Sequence, residues 1–138
     1  MRLGAALLMV ALAGCAANTA PQANAAAPMP DAIAGTKWFV PMEGDAGERP
    51  RLEFGSDGRV TGHTGCNGIS GTWRLEGGAV RLSALIMTKR ACPGARDDME
   101  RQFLGAVNAQ ARLSIEGGRL VAVGQGGERL ELSPEPAR

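Results

Sequence analysis

The chain has 138 residues, enough for one ordinary domain, and its 15 Lys and Arg against 14 Asp and Glu leave a formal charge of +1. So even a balance supplies no bulk attraction to a polyanion, and aromatic residues at 4% with no tyrosine remove the usual stacking platforms for bases, so no nucleic-acid partner is expected. The 20 glycines and 8 prolines point to many turns and short strands.

Residues 1–14 read as a secretory signal peptide. Arg2 supplies the positive start, Leu3 to Ala13 the apolar run, too short to span a bilayer as a helix, and Gly14 the small-residue end. Leu12-Ala13-Gly14-Cys15 resembles a bacterial lipobox. That resemblance implies that Cys15 is acylated and becomes the first mature residue; the other reading is an ordinary signal peptide with an incidental cysteine. Acyl chains bury methylenes at about 0.8 kcal/mol each, so more than one chain makes the anchor effectively permanent. Ala16 stands where Asp would favour inner-membrane retention, and the resemblance therefore implies an outer-membrane anchor facing the periplasm. Residues 15–34, the lipidated cysteine and an Ala/Pro stretch, read as a flexible tether. They carry little large apolar surface to offset ordering entropy, and Pro21, Pro28 and Pro30 interrupt any helix.

The domain proper is read over residues 35–134, with a polar tail at 135–138. Trp38, Phe39 and Val40 suit a pleated strand that Pro41 ends or confines to an edge, and Asp45 to Pro50 is a polar loop. Leu52 and Phe54 share a face, Ser56-Asp57-Gly58 is a hairpin turn, and Arg59 to Thr64 returns with Val60 inward. Gly65, Gly68 and Gly71 suggest close backbone approach, a bulge or a corner; Ile69, Gly71, Trp73 and Leu75 then share one strand face. In Ala79 to Thr88, Val80, Leu82, Ala84 and Ile86 fall on one face and Leu85 and Met87 on the other, which predicts a strand covered on both sides near its end. Met99, Phe103, Ala106 and Val107 form a helical stripe in Ala95 to Asn108, with Asp97, Asp98 and Glu100 in the first turn where the helix dipole favours negative charge. Short alternating strands follow around Leu113 and Ile115, Arg119 to Val123, and Leu130 with Leu132, their edges kept soluble by interleaved charges. The order predicts an α+β domain: a strongly curled antiparallel sheet or partly closed barrel of about seven to eight short strands with one helix packed on it.

Several of these residues together resemble the META domain family, which includes the heat-inducible HslJ-type bacterial lipoproteins. They are Gly35-Thr36-Lys37-Trp38, Leu52-Glu53-Phe54, Asp57-Gly58-Arg59-Val60-Thr61-Gly62, Gly65-Cys66-Asn67 with Gly71-Thr72-Trp73, and Thr88-Lys89-Arg90-Ala91-Cys92, followed by the helix with Glu100 and Phe103-Leu104 and by the closing leucines. The likeness spans about Gly35 to Leu132; Trp73 stands where another aromatic, Tyr for instance, is the expected residue. It implies a mixed α/β fold on an antiparallel sheet, envelope location and roles in stress or drug tolerance. It implies no catalytic mechanism, so no catalytic residue is assigned.

Cys66 and Cys92 are the thiols that remain once Cys15 is acylated, an even number in an oxidising compartment. A structural disulfide between them would add about 3.5 kcal/mol by chain entropy. Two buried free thiols or a redox pair are the alternatives, though a redox pair would normally show C-x-x-C, absent here. His63 with Cys66 and Cys92 could be imagined as zinc ligands, but zinc needs thiolates that an oxidising compartment converts to the disulfide; no metal and no cofactor are expected. Asn67-Gly68 reads as a turn chosen for positive φ before it reads as a ligand loop. Trp38, Trp73, Phe39, Phe54 and Phe103 read as core before pocket lining, and Lys89, Arg90, Arg96 and Arg101 as a solvated basic face before a contact for lipid head groups or an acidic partner. The sequence therefore reads as a non-enzymatic cell-envelope lipoprotein whose partners are the membrane, through Cys15, and an unidentified envelope protein. The alternative is an anchored binding module such as a lysozyme or protease inhibitor, acting through a loop around Gly44 to Pro50.

Overall fold

Turns and alternating apolar residues build a closed antiparallel barrel in which each strand pairs with its neighbour in sequence and the last pairs with the first. The strands are β1 (Thr36–Phe39), β2 (Arg51–Phe54), β3 (Arg59–His63), β4 (Gly68–Glu76), β5 (Ala79–Met87), β6 (Arg112–Glu116), β7 (Arg119–Val123) and β8 (Arg129–Pro134); the helix α1 (Ala95–Ala106) lies between β5 and β6. The computed structural model describes residues 33–42 and 49–134. The signal peptide, Cys15, most of the tether, most of the Gly44 to Pro50 loop and the tail, as read from the sequence, lie outside the described residues.

Inward positions follow the period of two. Trp38, Leu52, Phe54, Val60, Ile69, Val80, Leu82, Leu113, Leu120 and Leu132 are buried and share one core with Phe103 and Ala106 from α1 and with Val107 just after it. Burying a Leu, Val or Phe contributes about 1.5–3 kcal/mol, so this filled interior, not an internal ligand cavity, holds the strands together. Of the aromatic residues, Trp38, Phe54 and Phe103 are core; Phe39 and Trp73 are half-buried. Closure comes from β8, which continues past Leu132 so that Pro134 and Ser133 pair with Trp38 and Phe39. The core also starts earlier than the sequence suggests. Ile33, inside the stretch read as tether, is completely buried, and its carbonyl accepts a hydrogen bond from Thr36 Oγ1 at 2.5 Å.

The strand β5 departs from the expected alternation. Ser70 pairs with Ile86 and Thr72 with Ser83, so Ala84 and Leu85 together face Gly71 in a bulge, with Ala84 at φ 50°. The extra residue inverts the pattern: Leu85 packs toward the core while Ile86 points outward, so the end of the strand is not covered on both sides. Gly71 makes the bulge possible, because a Cβ there would stand 2.7 Å from the Ser83 carbonyl oxygen and 2.8 Å from Leu85 Cδ2.

The helix lies across the barrel end that holds the β3–β4 and β7–β8 connections. Asp97 and Asp98 occupy its first turn and both pair with Arg101. At the other end of the helix the backbone of Gly105 rests directly on Gly124, in the β7–β8 turn. A Cβ on Gly124 would collide with the Gly105 carbonyl oxygen, whereas a Cβ on Gly68 meets nothing closer than 4.0 Å. Gly124→Ala is therefore expected to destabilise the fold by about 1–3 kcal/mol, and Gly68→Ala to be neutral or slightly stabilising, as read by thermal and urea unfolding of both variants.

Candidate functional site

The stretch from Thr64 to Asn67 turns the chain from β3 into β4 beneath α1, and it is where polar side chains converge. Thr64 and Asn67 are the buried polar residues of the described chain, Asn67 at 2% exposure. Gly65 takes φ 99°, next to Met99 of the helix and Pro50. Thr64 closes the loop from both sides: its N–H donates to the Asn67 carbonyl at 2.8 Å, and its hydroxyl accepts from the N–H groups of Asn67 at 2.8 Å and Cys66 at 3.2 Å. Asn67 and Gly68 do not have positive φ, contrary to the turn expected from the Asn-Gly pair; the left-handed position is Gly65. Asn67 serves through its side chain instead.

The Asn67 amide joins three parts of the chain. Its Oδ1 accepts from the Arg90 N–H at 2.7 Å and from Thr88 Oγ1 at 3.0 Å. Its Nδ2 donates to Glu100 Oε2 at 2.9 Å and to the Arg90 carbonyl at 3.2 Å. Glu100 also accepts from the Thr64 hydroxyl. Beside the amide, Cys66 and Cys92 are joined by a disulfide with Cα atoms 5.8 Å apart, closing a sequence separation of 26 residues. The loop, the segment leading to the helix, and the helix are thus fastened at one point by a covalent bond and by a hydrogen-bonded amide.

Electrostatics agree with that role. Hydrogen bonds from Thr64, and against them partial burial, followed by those from Asn67, leave the Glu100 carboxyl below its ordinary 4.5. Desolvation, then the positive charges of Arg51 and Arg90, push His63 below its ordinary 6.5, with Glu100 acting in the opposite direction. His63 Nδ1 accepts the Gly65 N–H at 3.1 Å, a bond that requires the neutral ring. Among the described residues no three His, Cys, Asp or Glu side chains are grouped as metal ligands.

The structure brings Gly65, Cys66, Asn67 and Cys92 together. It leaves Gly71 and Trp73 on β4 outside the cluster. Trp73 is half-buried, meets Phe54 edge-on at 5.9 Å between ring centroids and donates its indole N–H to the Gly55 carbonyl at 2.9 Å. Glu100 is not a first-turn dipole residue, as the sequence suggests, but the partner of Thr64 and Asn67. The basic residues Lys89, Arg90, Arg96 and Arg101 lie on the exposed face that the sequence suggests, and two of them also brace the loop: Arg96 donates to the Gly65 carbonyl at 3.0 Å and Arg90 to the Cys66 carbonyl at 3.4 Å, while Arg101 pairs along its own helix. Sequence reasoning missed Thr64, Thr88 and the position of Glu100. The available signal was a Thr-x-x-Asn pair within a glycine loop, a pattern whose side chains bond nearby backbone.

A small antiparallel barrel closed at one end by a helix, with a disulfide and a buried amide at their junction, defines the architecture. The chain belongs to the META domain family, whose model matches residues 31–137. Solved structures share the fold. A protein from Burkholderia xenovorans, determined by NMR, is 20% identical with a TM-score of 0.60 over 86% of this chain and 98% of that one. A second NMR structure is 18% identical with a TM-score of 0.61 over 75% and 92%. The crystal structure of a DUF4847 family protein from Bacteroides vulgatus is 15% identical with a TM-score of 0.53 over 80% and 99%. No curated protein matches the chain.

Asn67→Asp is isosteric but replaces the donor facing Glu100 with a second carboxylate oxygen. The variant should lose about 3 kcal/mol at pH 7 and regain part of it on acidification, as either carboxyl takes up a proton; urea titrations at both pH values check this. Because the folded chain lowers the pKa of His63, protonation favours the unfolded chain. Its contribution is complete above 6.5 and is lost as pH falls through the lower folded value, and Glu100 adds a second loss below 4.5. His63→Gln should flatten the melting temperature over the upper of these two ranges and leave the fall at the lower one.

Proposed function

We propose that this META domain is a non-enzymatic, lipid-anchored module of the cell envelope that supports stress or drug tolerance by presenting a rigid surface to other envelope components. The observation that carries this reading is the saturation of the Asn67 cluster. Thr64, Asn67, Thr88, Arg90, Glu100 and the two cysteines all bond to one another or to nearby backbone, and no buried side-chain polar atom of the described residues lacks a partner. Groups engaged in this way hold shape; an active site needs polar groups aimed at a substrate. Two sequence features support the envelope setting. The Cys15 lipobox supplies the membrane contact, and the Ala/Pro tether lets the domain stand off the bilayer. A cross-link between Cys66 and Cys92 also suits an oxidising compartment.

Fractionation of cells expressing the full chain tests the anchor. The wild type should sediment with outer membranes, and Cys15→Ala should move to the soluble periplasmic fraction or stay unprocessed. Crosslinking of the anchored protein in intact cells, with mass spectrometry of the products, tests the contact role. Repeated absence of any protein partner would overturn it, and recovery of a lysozyme or protease would favour an inhibitory role.

A further inference from the structure

The barrel is closed unevenly. On one side β5 pairs with β4 from Ala79 to Met87, but on the other it meets β6 only at Val80 opposite Leu113. The chain leaves β5 for the helix and returns at β6 too far away to continue the ladder. Arg81 bridges the gap with its side chain, donating to the carbonyls of Gln110 at 3.1 Å and Ala111 at 3.0 Å. Beyond Arg81 no described strand pairs with this edge of β5.

That edge has main-chain groups to offer. The Thr88 N–H is directed at Gly68 of β4, at 3.0 Å, and antiparallel residues alternate in direction, so the N–H and C=O groups of Leu85 and Met87 point away from β4. Exposed strand edges are normally blunted by charge or proline; Leu82 to Thr88 contains neither. Instead it carries Ile86, 70% exposed, and Met87, 36% exposed, two of the large apolar side chains left open on the described surface. The Ala84 bulge interrupts the edge on its early side, which confines regular pairing to the segment after it.

We propose that the edge of β5 from Leu85 to Thr88 receives an extended peptide as an added strand, with apolar side chains at alternate positions and acidic residues at its ends. The main-chain groups specify an extended polypeptide, and the exposed Ile86 and Met87 specify the apolar positions. Charge specifies the ends: Arg81 lies before the segment and Lys89 directly after it. The same charges disfavour a second copy, because antiparallel self-pairing centred on Ile86 would bring Arg81 of one chain toward the Lys89 end of the other. The proposal rests on the contact role above for its biological setting only. Fractionation and cellular crosslinking bear on that role, and binding by the purified chain bears on the edge, so either can fail alone.

The test uses a fluorescein-labelled peptide of sequence Glu-Glu-Val-Thr-Val-Thr-Val-Glu-Glu, titrated with the purified full-length protein and followed by anisotropy. Saturable binding is expected, with slowed amide hydrogen exchange at Leu85 and Met87. Ile86→Lys, at an exposed position, should weaken binding by about tenfold with an unchanged melting temperature, and a peptide with Lys in place of Glu should bind by about the same factor less well. A peptide N-methylated at alternate residues should not bind. Absence of binding, or equal binding by the N-methylated peptide, overturns the proposal. So does a concentration-dependent dimer that Ile86→Lys dissolves, since the occupant would then be a second copy.

Discussion

The carboxamide of Asn67 holds together parts of the chain that the barrel alone would leave independent. Hairpin pairing organises the strands locally, one neighbour at a time. The helix has no such neighbour, and at 12 residues it is marginal by itself. Its later half is held by burial of Phe103 and Ala106, with Val107 buried directly after it. Its earlier half is mostly polar, and Glu100 is tied there by Asn67 and Thr64. With both of its polar ends used, the buried amide contributes instead of costing, because each of its donor and acceptor atoms exchanges water for a partner of good geometry.

The disulfide and the amide act on the same junction in different ways. The Cys66–Cys92 bond limits the freedom of the unfolded chain, which for 26 residues is worth about 3.5 kcal/mol. The amide acts on the folded state by selecting where the 88–90 segment and the helix lie relative to the β3–β4 loop. Holding the helix on that side of the barrel has a consequence farther along. The chain must travel from Met87 to Ala95 and return at Arg112, and this detour separates β6 from most of β5. The open edge of β5 is thus the other face of the same constraint: a barrel whose strands follow sequence order is interrupted where the helix is inserted.

Much of the architecture was legible in the residues. The alternation of Leu52 with Phe54, the Asp57-Gly58 turn, and the glycine pairs after β4 and β6 place most strands, since a half-buried strand writes its period directly into the sequence. The stripe of Met99, Phe103, Ala106 and Val107 places the helix. The bulge was not legible. Alternation predicts Ile86 inward and the structure turns it outward, because Gly71 on the facing strand admits an extra residue that no local pattern in β5 announces. The central role of Glu100 was equally hidden, since an acid near a helix start is already accounted for by the helix dipole.

The sequence by itself determined the antiparallel sheet, the helix, most of the apolar core positions and the family, all of which depend on short-range period and turn chemistry. Only the tertiary structure decided that β8 reaches β1 to close the barrel, that Asn67 meets Glu100 across 33 residues, and that one edge of β5 stays open. Those outcomes depend on which distant groups share space once the helix is laid over the barrel end, and a buried polar side chain takes its partner from that geometry, not from its neighbours in the chain.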